Sequence, residues 1–355
     1  MLILVVSEDG EAAARAGREL ADQGLDWEIA WTDKPETALM GQCVPDVLVC
    51  ADRIGASGGI GLLGLLRQRH PEAMRILLME SGQDHEAMHA LEVTQRVLPA
   101  PLDSIALIEA VESAYELRAL LDDPDLKRAI GRVGSLPAAP NQYLALTRLL
   151  RDPDVSAARV ADVVSQDPAV AAQVLRMTNS AYYATGREIT DVRTAVTRLG
   201  SNVLRQLVLA SEVFAGGTNP AKANALRDRA LRISRLAGQL LAGPSAELAS
   251  TAGLLAQVGL LLPLAATEDG REPTPHNVAG AYLLGLWGLP APIVEAVAFH
   301  TDPAKIRGFW VTGAVHVATT LINGTPIDEG YLRKVGQFEQ LPRWRSLANS
   351  LAEAA

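Results

Sequence analysis

Short apolar runs alternate with helical stretches through the first 120 residues, and this alternation constrains the fold more than any other feature. The runs lie at residues 2–6, 26–31, 46–50, 75–79 and 96–98. Strands that are buried on both faces read as continuous apolar runs, and connecting helices make such strands parallel. The pattern therefore predicts an α/β domain, a five-stranded doubly wound parallel sheet, over residues 1–120.

The rest of the chain shows only helical periodicity. A segment rich in turn formers precedes it, so we predict a helical linker at 121–135, an all-α bundle at 136–325 and a C-terminal helical extension at 326–355. Helix starts are expected at Ser156, Asp167, Thr190 or Asp191, and Ser245, and helix ends at Gly200, Gly243 and Asn323 with Gly324.

The amino-acid composition predicts a folded protein in a reducing compartment. Of the 355 residues, 48% are hydrophobic and 21% are charged, which excludes a disordered chain. No apolar run reaches 18 residues and no basic leader opens the chain, so we expect a cytoplasmic protein without a membrane partner. Cys43 and Cys50 are too few for a disulfide framework or a zinc set, and both are expected to be packing residues.

Charge is divided unevenly along the chain. Residues 1–120 carry 9 basic and 20 acidic side chains, whereas residues 121–355 carry 23 and 21. An acidic first third repels phosphate backbones, so a nucleic-acid partner is not expected. Residues 176–235 are locally basic, with 10 basic and 4 acidic side chains. This stretch is either a solvated set of helix faces or a docking surface for an acidic partner.

The segment PDVLVCADRIGASGGIGLLGLLRQRHPEAMRILLM, with the five-strand spacing and the later LPAPL, resembles response-regulator receiver domains. The resemblance covers residues 1–120. It implies a phosphoryl-accepting aspartate at the end of the third strand. It also implies an acidic pair after the first strand that holds Mg²⁺, a Thr or Ser, and a Lys.

The residues at the receiver's catalytic positions are inert. Ala51 stands at the acceptor position, Met79 at the Thr/Ser position and Ala100 at the Lys position. A methyl group cannot replace a carboxylate nucleophile, and a phosphoryl group would find no charged partners here. The resemblance with these departures predicts a pseudo-receiver that does not accept a phosphoryl group.

Part of the acidic pair survives. Ser7 and Glu8 stand at the two positions of the pair, and Asp9 follows them. A cation site at Glu8 and Asp9 therefore stays an open alternative. Asp52 follows Ala51 directly, but neighbouring strand residues point to opposite faces, so Asp52 is expected to be a solvated or capping acid.

A long second segment resembles HDOD domains, which are related to HD-type metal phosphohydrolases. The motifs DPDVS, QDPAVAAQVLRMTNSAYY and AVTRLG follow one another in the family's order, and the resemblance continues through HNVAGAYLLGLWGLPAPIVEAVAFH. HD enzymes hold one or two metal ions on His and Asp side chains. HDOD members have commonly lost those ligands, and the resemblance implies that such domains act through protein contacts.

Most of the HD metal positions are lost here as well. The first His position is Arg229, the His-Asp pair is Ala256 and Gln257, and the late Asp position is Thr319. His276 and His300 remain. Two imidazoles without a carboxylate make at most a weak site, so we expect no bound metal and no cofactor, with structural or surface roles for both histidines.

Three residues are candidates for binding. Arg229 is either a permanent cation at the former metal position or an exposed arginine of an amphipathic helix. Asn179 and Ser180, in the NSAYY segment, either contact a ligand or cap a helix end.

We therefore expect a non-enzymatic signal-transduction regulator that binds other signalling proteins, with a homodimer through residues 104–121 as a further option. The alternative is a pseudo-hydrolase that binds a nucleotide, such as a cyclic dinucleotide, in the degenerate HD pocket, with Arg229 and other arginines of residues 176–235 on the phosphates. DNA binding is a third class, but no helix-turn-helix pattern is present and the net charge of −9 opposes it.

Overall fold

The computed structural model divides into two compact units. The first comprises residues 1–134, 179–187 and 286–288, and the second comprises 135–178, 188–285 and 289–355. The structure describes residues 1–41, 43–55, 58–80, 90–91, 93–118, 124–131, 133, 145–146, 148–150, 152, 155–179, 188–211, 220–262 and 275–353. Among these residues, no helix combines the length and the apolar character needed to cross a membrane.

A parallel sheet of five strands forms the centre of the first unit. Its spatial order is β2-β1-β3-β4-β5, and each neighbouring pair is parallel. The apolar runs become strands because β1, β3 and β4 are buried on both faces, as a sheet between two helical layers requires. The predicted fold class is thereby confirmed. The strands are β1 Leu2–Val6, β2 Glu28–Thr32, β3 Val47–Ala51, β4 Met74–Met79 and β5 Arg96–Pro99.

Five helices of the first unit have defined bounds. Asp9 caps the first of them by accepting a hydrogen bond from the Ala12 amide at 2.8 Å, and Asp103 likewise accepts from the Ala106 amide at 2.8 Å. The helices are α1 Gly10–Asp22, α2 Pro35–Met40, α3 Gly58–Arg69, α4 Ser104–Arg118 and α5 Pro124–Gly131.

The predicted homodimer face was residues 104–121, and its start lies on α4. There Leu107 and Val111 are buried, whereas Ile105 is 60% exposed. An apolar side chain as exposed as Ile105 lies off the core-facing stripe, so the first turn of α4 offers apolar surface to solvent. The homodimer itself stays a prediction.

The described part of the second unit is helical, as predicted. Its α-helices are α6 Ala157–Val164, α7 Pro168–Asn179, α8 Val192–Ser211, α9 Pro220–Leu240, α10 Pro244–Leu255, α11 His276–Leu286, α12 Ala291–Phe299, α13 Val311–Asn323, α14 Glu329–Lys334 and α15 Leu341–Glu353. Short 3₁₀ turns lie at Val258–Leu261, Pro303–Lys305 and Phe338–Gln340.

Most of the helix boundaries follow the expected capping chemistry. Ser156, Asp167 and Asp191 each accept a backbone hydrogen bond at a helix start. Ser245 does not, because α10 begins one residue earlier at Pro244, whose fixed φ suits the first helical position. Gly200 has a non-helical backbone with φ of 74°, so the helix that begins after Asp191 ends there as predicted, and α8 continues beyond it as a second helical segment.

The C-terminal segment belongs to the core of the second unit. Tyr331, Leu332, Leu341 and Trp344 are buried in one cluster with Val317 of α13. The rings of Trp344 and Phe309 stack with their centroids 5.3 Å apart. Residues 326–353 are thus packed into this core rather than lying beside it as an extension.

Candidate functional site

The first unit has a cleft at the carboxyl ends of its central strands. Its volume is about 370 Å³. Parallel strands present their carboxyl ends at one edge of a sheet, which is where ligands of such folds usually bind. Four of the predicted receiver positions line this cleft: Ser7, Glu8, Ala51 and Ala100.

Met79 does not line the cleft. Met79 is completely buried. Leu78, which pairs with Ala51 in the sheet register, lines the cleft instead. Alternate residues of a strand point to opposite faces, so an offset of one residue in the assignment moves the side chain out of the site. Leucine is as inert as methionine toward a phosphoryl group.

Asp52 also lines the cleft, contrary to the expectation from strand alternation. The strand β3 ends at Ala51, and Asp52 lies in the bend that follows it. Strand alternation therefore does not apply to Asp52. Its backbone is fixed by hydrogen bonds from its amide to the Leu78 carbonyl at 2.9 Å and from the Gly59 amide to its own carbonyl at 2.6 Å.

The acids of the cleft are partly engaged. One carboxylate oxygen of Asp9 caps α1, and Glu80 faces Arg53 at 3.4 Å in an exposed pair that contributes little stability. In the part of the chain that the structure describes, no group of three or more His, Cys, Asp or Glu side chains is arranged to hold a metal ion.

The second unit brings His276 and His300 together. Their ring centroids lie 6.0 Å apart in an edge-to-face arrangement, with His276 at the start of α11 and His300 directly after α12. His300 is 1% exposed, and its Nδ1 lies 2.9 Å from the Val297 carbonyl. A carbonyl only accepts, so Nδ1 carries the proton and Nε2 is left with a lone pair.

Burial controls the protonation of this pair. Desolvation lowers the pKa of His300 from 6.5 to about 4, against an opposing hydrogen bond to Val297. Burial also lowers the pKa of His276. Both rings are therefore neutral at pH 7, and they add no positive charge to the site.

A third histidine, His316, was missed in the sequence. Its Nδ1 donates to the His300 carbonyl at 2.7 Å, and its Nε2 accepts from the Asp328 amide at 3.2 Å. Burial lowers its pKa. The sequence could have indicated His316, because it lies three residues before Thr319 on one helix and this spacing puts both side chains on the same face.

The degenerate HD positions lie in a closely packed interior. Ala256 is fully buried at the end of α10, and Gln257 and Thr319 are 5% and 6% exposed. Several buried polar atoms have no hydrogen-bond partner within the described residues: Gln257 Oε1, His276 Nε2, Asn277 Oδ1, His300 Nε2 and Thr319 Oγ1. The amide oxygens of Gln257 and Asn277 can only accept a hydrogen bond, and so can His300 Nε2 when Nδ1 carries the proton. These atoms suit water or another donor better than an anion.

The three candidate binding residues are placed differently. Arg229 lies half-buried on α9, next to the buried face formed by Leu226, Ala230 and Ile233. Asn179 is the last residue of α7, which fits the expected position at a helix end. Ser180 lies outside the described residues.

We expect the purified protein to contain no stoichiometric Fe, Mn or Zn. Ala256 and Thr319 stand at two of the predicted HD ligand positions, and among the residues that the structure describes no group of three His, Cys, Asp or Glu side chains could hold a metal ion. Elemental analysis of protein purified without chelators tests this expectation. One metal ion per chain would contradict it, and loss of that ion in a His276→Ala, His300→Ala double variant would locate it.

The comparisons with known proteins show one family over part of the chain. Residues 136–274 match the family model of the HDOD domain, which confirms that resemblance over this range. Residues 275–325 of the predicted domain lie beyond the match. An uncharacterised protein of Treponema pallidum (strain Nichols) is 26% identical over 197 residues, or 48% of this chain. The match spans only 38% of that relative's length.

Two solved structures are similar to parts of this chain. A virulence factor from Campylobacter jejuni subsp. jejuni is 18% identical, with a TM-score of 0.50 over 64% of this chain and 99% of that chain. The MmoQ response regulator from Methylococcus capsulatus str. Bath is 22% identical, with a TM-score of 0.47 over 59% of this chain and 98% of that chain. At 18% identity, the likeness to the Campylobacter jejuni structure indicates a shared fold and nothing more.

Proposed function

We propose that this protein is a non-catalytic signal-transduction regulator that acts through protein-protein interaction in the cytoplasm. In this proposal residues 1–120 are a phosphorylation-independent pseudo-receiver, and the HDOD domain is a metal-free output domain for other signalling proteins. The observation that carries the proposal is the interior of the second unit, where Ala256, Gln257 and Thr319, the predicted HD ligand positions, are buried and where burial keeps His276 and His300 neutral.

The cleft of the first unit supports phosphorylation independence. Ala51 and Ala100 line it where a receiver has its acceptor and its lysine, and Leu78 adds a third apolar side chain. A phosphoryl group placed there would meet Glu8 and Asp52, which repel it.

Small phosphodonors with Mg²⁺ are therefore expected to leave the intact mass unchanged. Mass spectrometry of the full chain after incubation with acetyl phosphate measures this directly. Asp52 follows the predicted acceptor position directly in sequence and lines the same cleft, so an Asp52→Asn variant serves as the matched control. A gain of one phosphoryl group that disappears in this variant would identify Asp52 as an acceptor and overturn the proposal.

Opposite charges favour a regulatory contact between the domains. The acidic first 120 residues and the basic stretch at 176–235 attract one another, and contacts between domains of one chain are usually modest and polar. Such an attraction biases open and closed arrangements without a covalent change. Small-angle scattering at low and high salt is expected to show a larger separation at high salt.

Nucleotide binding in the degenerate HD pocket is a weaker reading. Phosphates need donors or positive charge, whereas His300 is neutral and presents its Nε2 lone pair, and the free oxygen of Gln257 is an acceptor. Arg229 and the other arginines of residues 176–235 are in its favour. Calorimetric titration with cyclic dinucleotides distinguishes the two functions, since the regulator proposal expects no heat of binding.

Crosslinking pull-down from the native cytoplasm tests the main proposal. The full chain and residues 130–355 serve as two baits, with the salt raised in parallel samples. We expect one or more signalling proteins to bind both baits and to bind the full chain with a different salt dependence. Identical binding by both baits would remove the regulatory role of the first domain, and turnover of a phosphoester by the purified chain would overturn the non-catalytic assignment.

A further inference from the structure

The two edges of the sheet in the first unit differ in exposure. Three of the four residues of β5 are buried, whereas no residue of β2 is buried. The backbone groups on the outer side of an edge strand are unpaired and can bond to a strand of another chain. Among the residues that the structure describes, β2 therefore forms the more open edge of this sheet.

The hydrogen bonds to β1 show which backbone groups of β2 face outward. The Glu28 amide donates to a carbonyl just before β1 at 2.9 Å, and the Thr32 carbonyl accepts from an amide just after β1 at 3.1 Å. In a parallel pair, alternate residues of a strand direct both backbone groups toward the same neighbour. Ile29 and Trp31 therefore direct their amides and carbonyls away from β1, toward the open edge.

An aromatic side chain is held in place at this edge. Trp31 is 45% exposed, its Nε1 donates to the Ser7 carbonyl at 3.0 Å, and its ring covers Gly10 at the start of α1. A tryptophan fixed in this way loses little conformational entropy on binding, and tryptophan is enriched among the residues that dominate interfaces. The open edge thus combines free backbone groups with a preorganised apolar anchor.

The edge is complementary to itself in the antiparallel direction. When two copies of β2 pair about a two-fold axis at Ala30, Ile29 of each copy lies opposite Trp31 of the other. Each Ile29–Trp31 pair then exchanges two hydrogen bonds through the outward backbone groups, and a β-branched side chain meets an aromatic one. Glu28 lies opposite Thr32 in this register, so no like charges face each other within the strands.

The residues that flank β2 extend the complementarity to charge. The same axis at Ala30 places Asp26 of each copy opposite Lys34 of the other, and both side chains are exposed. Lys34 has an extended backbone, with φ of −110° and ψ of 110°. An axis shifted to Trp31 would instead place Asp26 opposite Glu36, two like charges. This match of the edge with its own copy favours a second copy of the chain as the occupant.

We propose that β2 is a homodimerisation strand, through which two copies of the chain join their sheets edge to edge about an axis at Ala30. The acidic charge of residues 1–120 opposes association and the strand is short, so the dimer is expected to be weak, with a dissociation constant in the micromolar range. This contact differs from the predicted face at residues 104–121. It is independent of the proposed function, because it needs no partner besides this chain.

Charge reversal with complementation tests the pairing in the full chain. Asp26→Lys and Lys34→Asp each place like charges opposite one another at two sites of the dimer, so each variant is expected to dimerise about tenfold more weakly than the wild type. In an equimolar mixture of the two variants both ion pairs form again across the axis. The affinity is then expected to return to within about threefold of the wild-type value. Sedimentation velocity from about 1 µM to about 300 µM measures the dissociation constants.

The variants also separate pairing from a general charge effect. Asp26→Lys makes the chain less acidic and Lys34→Asp makes it more acidic, so general repulsion would change dimerisation in opposite directions, whereas the proposed pairing weakens it in both. Glu109→Lys matches the charge change of Asp26→Lys on an exposed position of α4, within the face at residues 104–121. It is expected to leave the dimer as strong as the wild type or slightly stronger.

Hydrogen exchange locates the contact. As the protein concentration rises through the dissociation constant, the amides of Ile29 and Trp31 are expected to exchange several-fold more slowly, because they face the open edge. Such protection, together with restored affinity in the mixture, supports the proposal. A mixture no stronger than the single variants, or a dimer lost in Glu109→Lys, overturns it. A chain that stays monomeric throughout also overturns it and leaves the edge to a strand of another protein.

Discussion

Lowering the pH from 7 to 4 is expected to destabilise the second unit by about 3 kcal/mol through His300 alone. Burial lowers the pKa of His300 to about 4 in the folded protein, whereas the ordinary value is 6.5. Between pH 6.5 and pH 4, His300 is protonated in the unfolded chain but stays neutral in the folded chain. The stability is therefore complete above pH 6.5 and is lost progressively as the pH falls toward 4.

The neighbouring histidines act in the same direction. Burial lowers the pKa of His276 and of His316, so each adds to the loss below pH 6.5. Asp328 opposes it, because its negative charge raises the pKa of His316. The total pH dependence of this core is thus expected to be at least as steep as that of His300.

Comparison with a non-titrating variant isolates the effect. In His300→Gln the decline between pH 6.5 and 4 is expected to be smaller by about 3 kcal/mol, even if the variant is less stable at pH 7. Hydrogen exchange of the slowest amides in α13 reports the stability of the second unit at each pH. The control His70→Gln, in the first unit, should follow the wild-type curve there. Equal slopes for His300→Gln and the wild type would show that His300 is not held neutral.

The substitution Trp344→Ala is expected to destabilise the second unit by about 3–5 kcal/mol. Trp344 is 4% exposed, stacks on Phe309 and packs in the cluster that includes Val317 and Tyr331. Removing the indole leaves a cavity that the surrounding helices cannot fill without moving. Urea unfolding followed by circular dichroism measures the loss in the full chain.

Its control lies one residue further along α15. Arg345 is exposed, so Arg345→Ala should change stability by no more than about 0.5 kcal/mol. If Trp344→Ala costs less than about 1 kcal/mol, residues 326–353 are not part of the HDOD core and behave as a separate extension.

The sequence predicted the first unit well because its signals are local. A strand buried on both faces shows its apolar run directly, so four of the five strands were located within one residue at either end, and β2 within two. Side-chain direction at a strand end was less certain. Leu78 lines the cleft where Met79 was predicted. Asp52 also lines it, because β3 ends at Ala51 and strand alternation does not extend to the next residue.

In the second unit, the sequence identified only those site residues that stand at positions known from the resemblance to HD-type domains. His276 and His300 were identified from the motif, and the structure brings them together. His316 was missed because its role comes from two backbone groups, the His300 carbonyl and the Asp328 amide, which lie far from it in sequence.

The hydrogen bonds of His300 and His316 also give the protein a spectroscopic label. Both rings donate from Nδ1, which is the minor tautomer of free neutral imidazole in water. Nitrogen NMR separates the two tautomers, because a protonated and an unprotonated ring nitrogen resonate far apart. Two histidines of this uncommon form would let the state of the core of the second unit be followed in the intact chain while a partner binds.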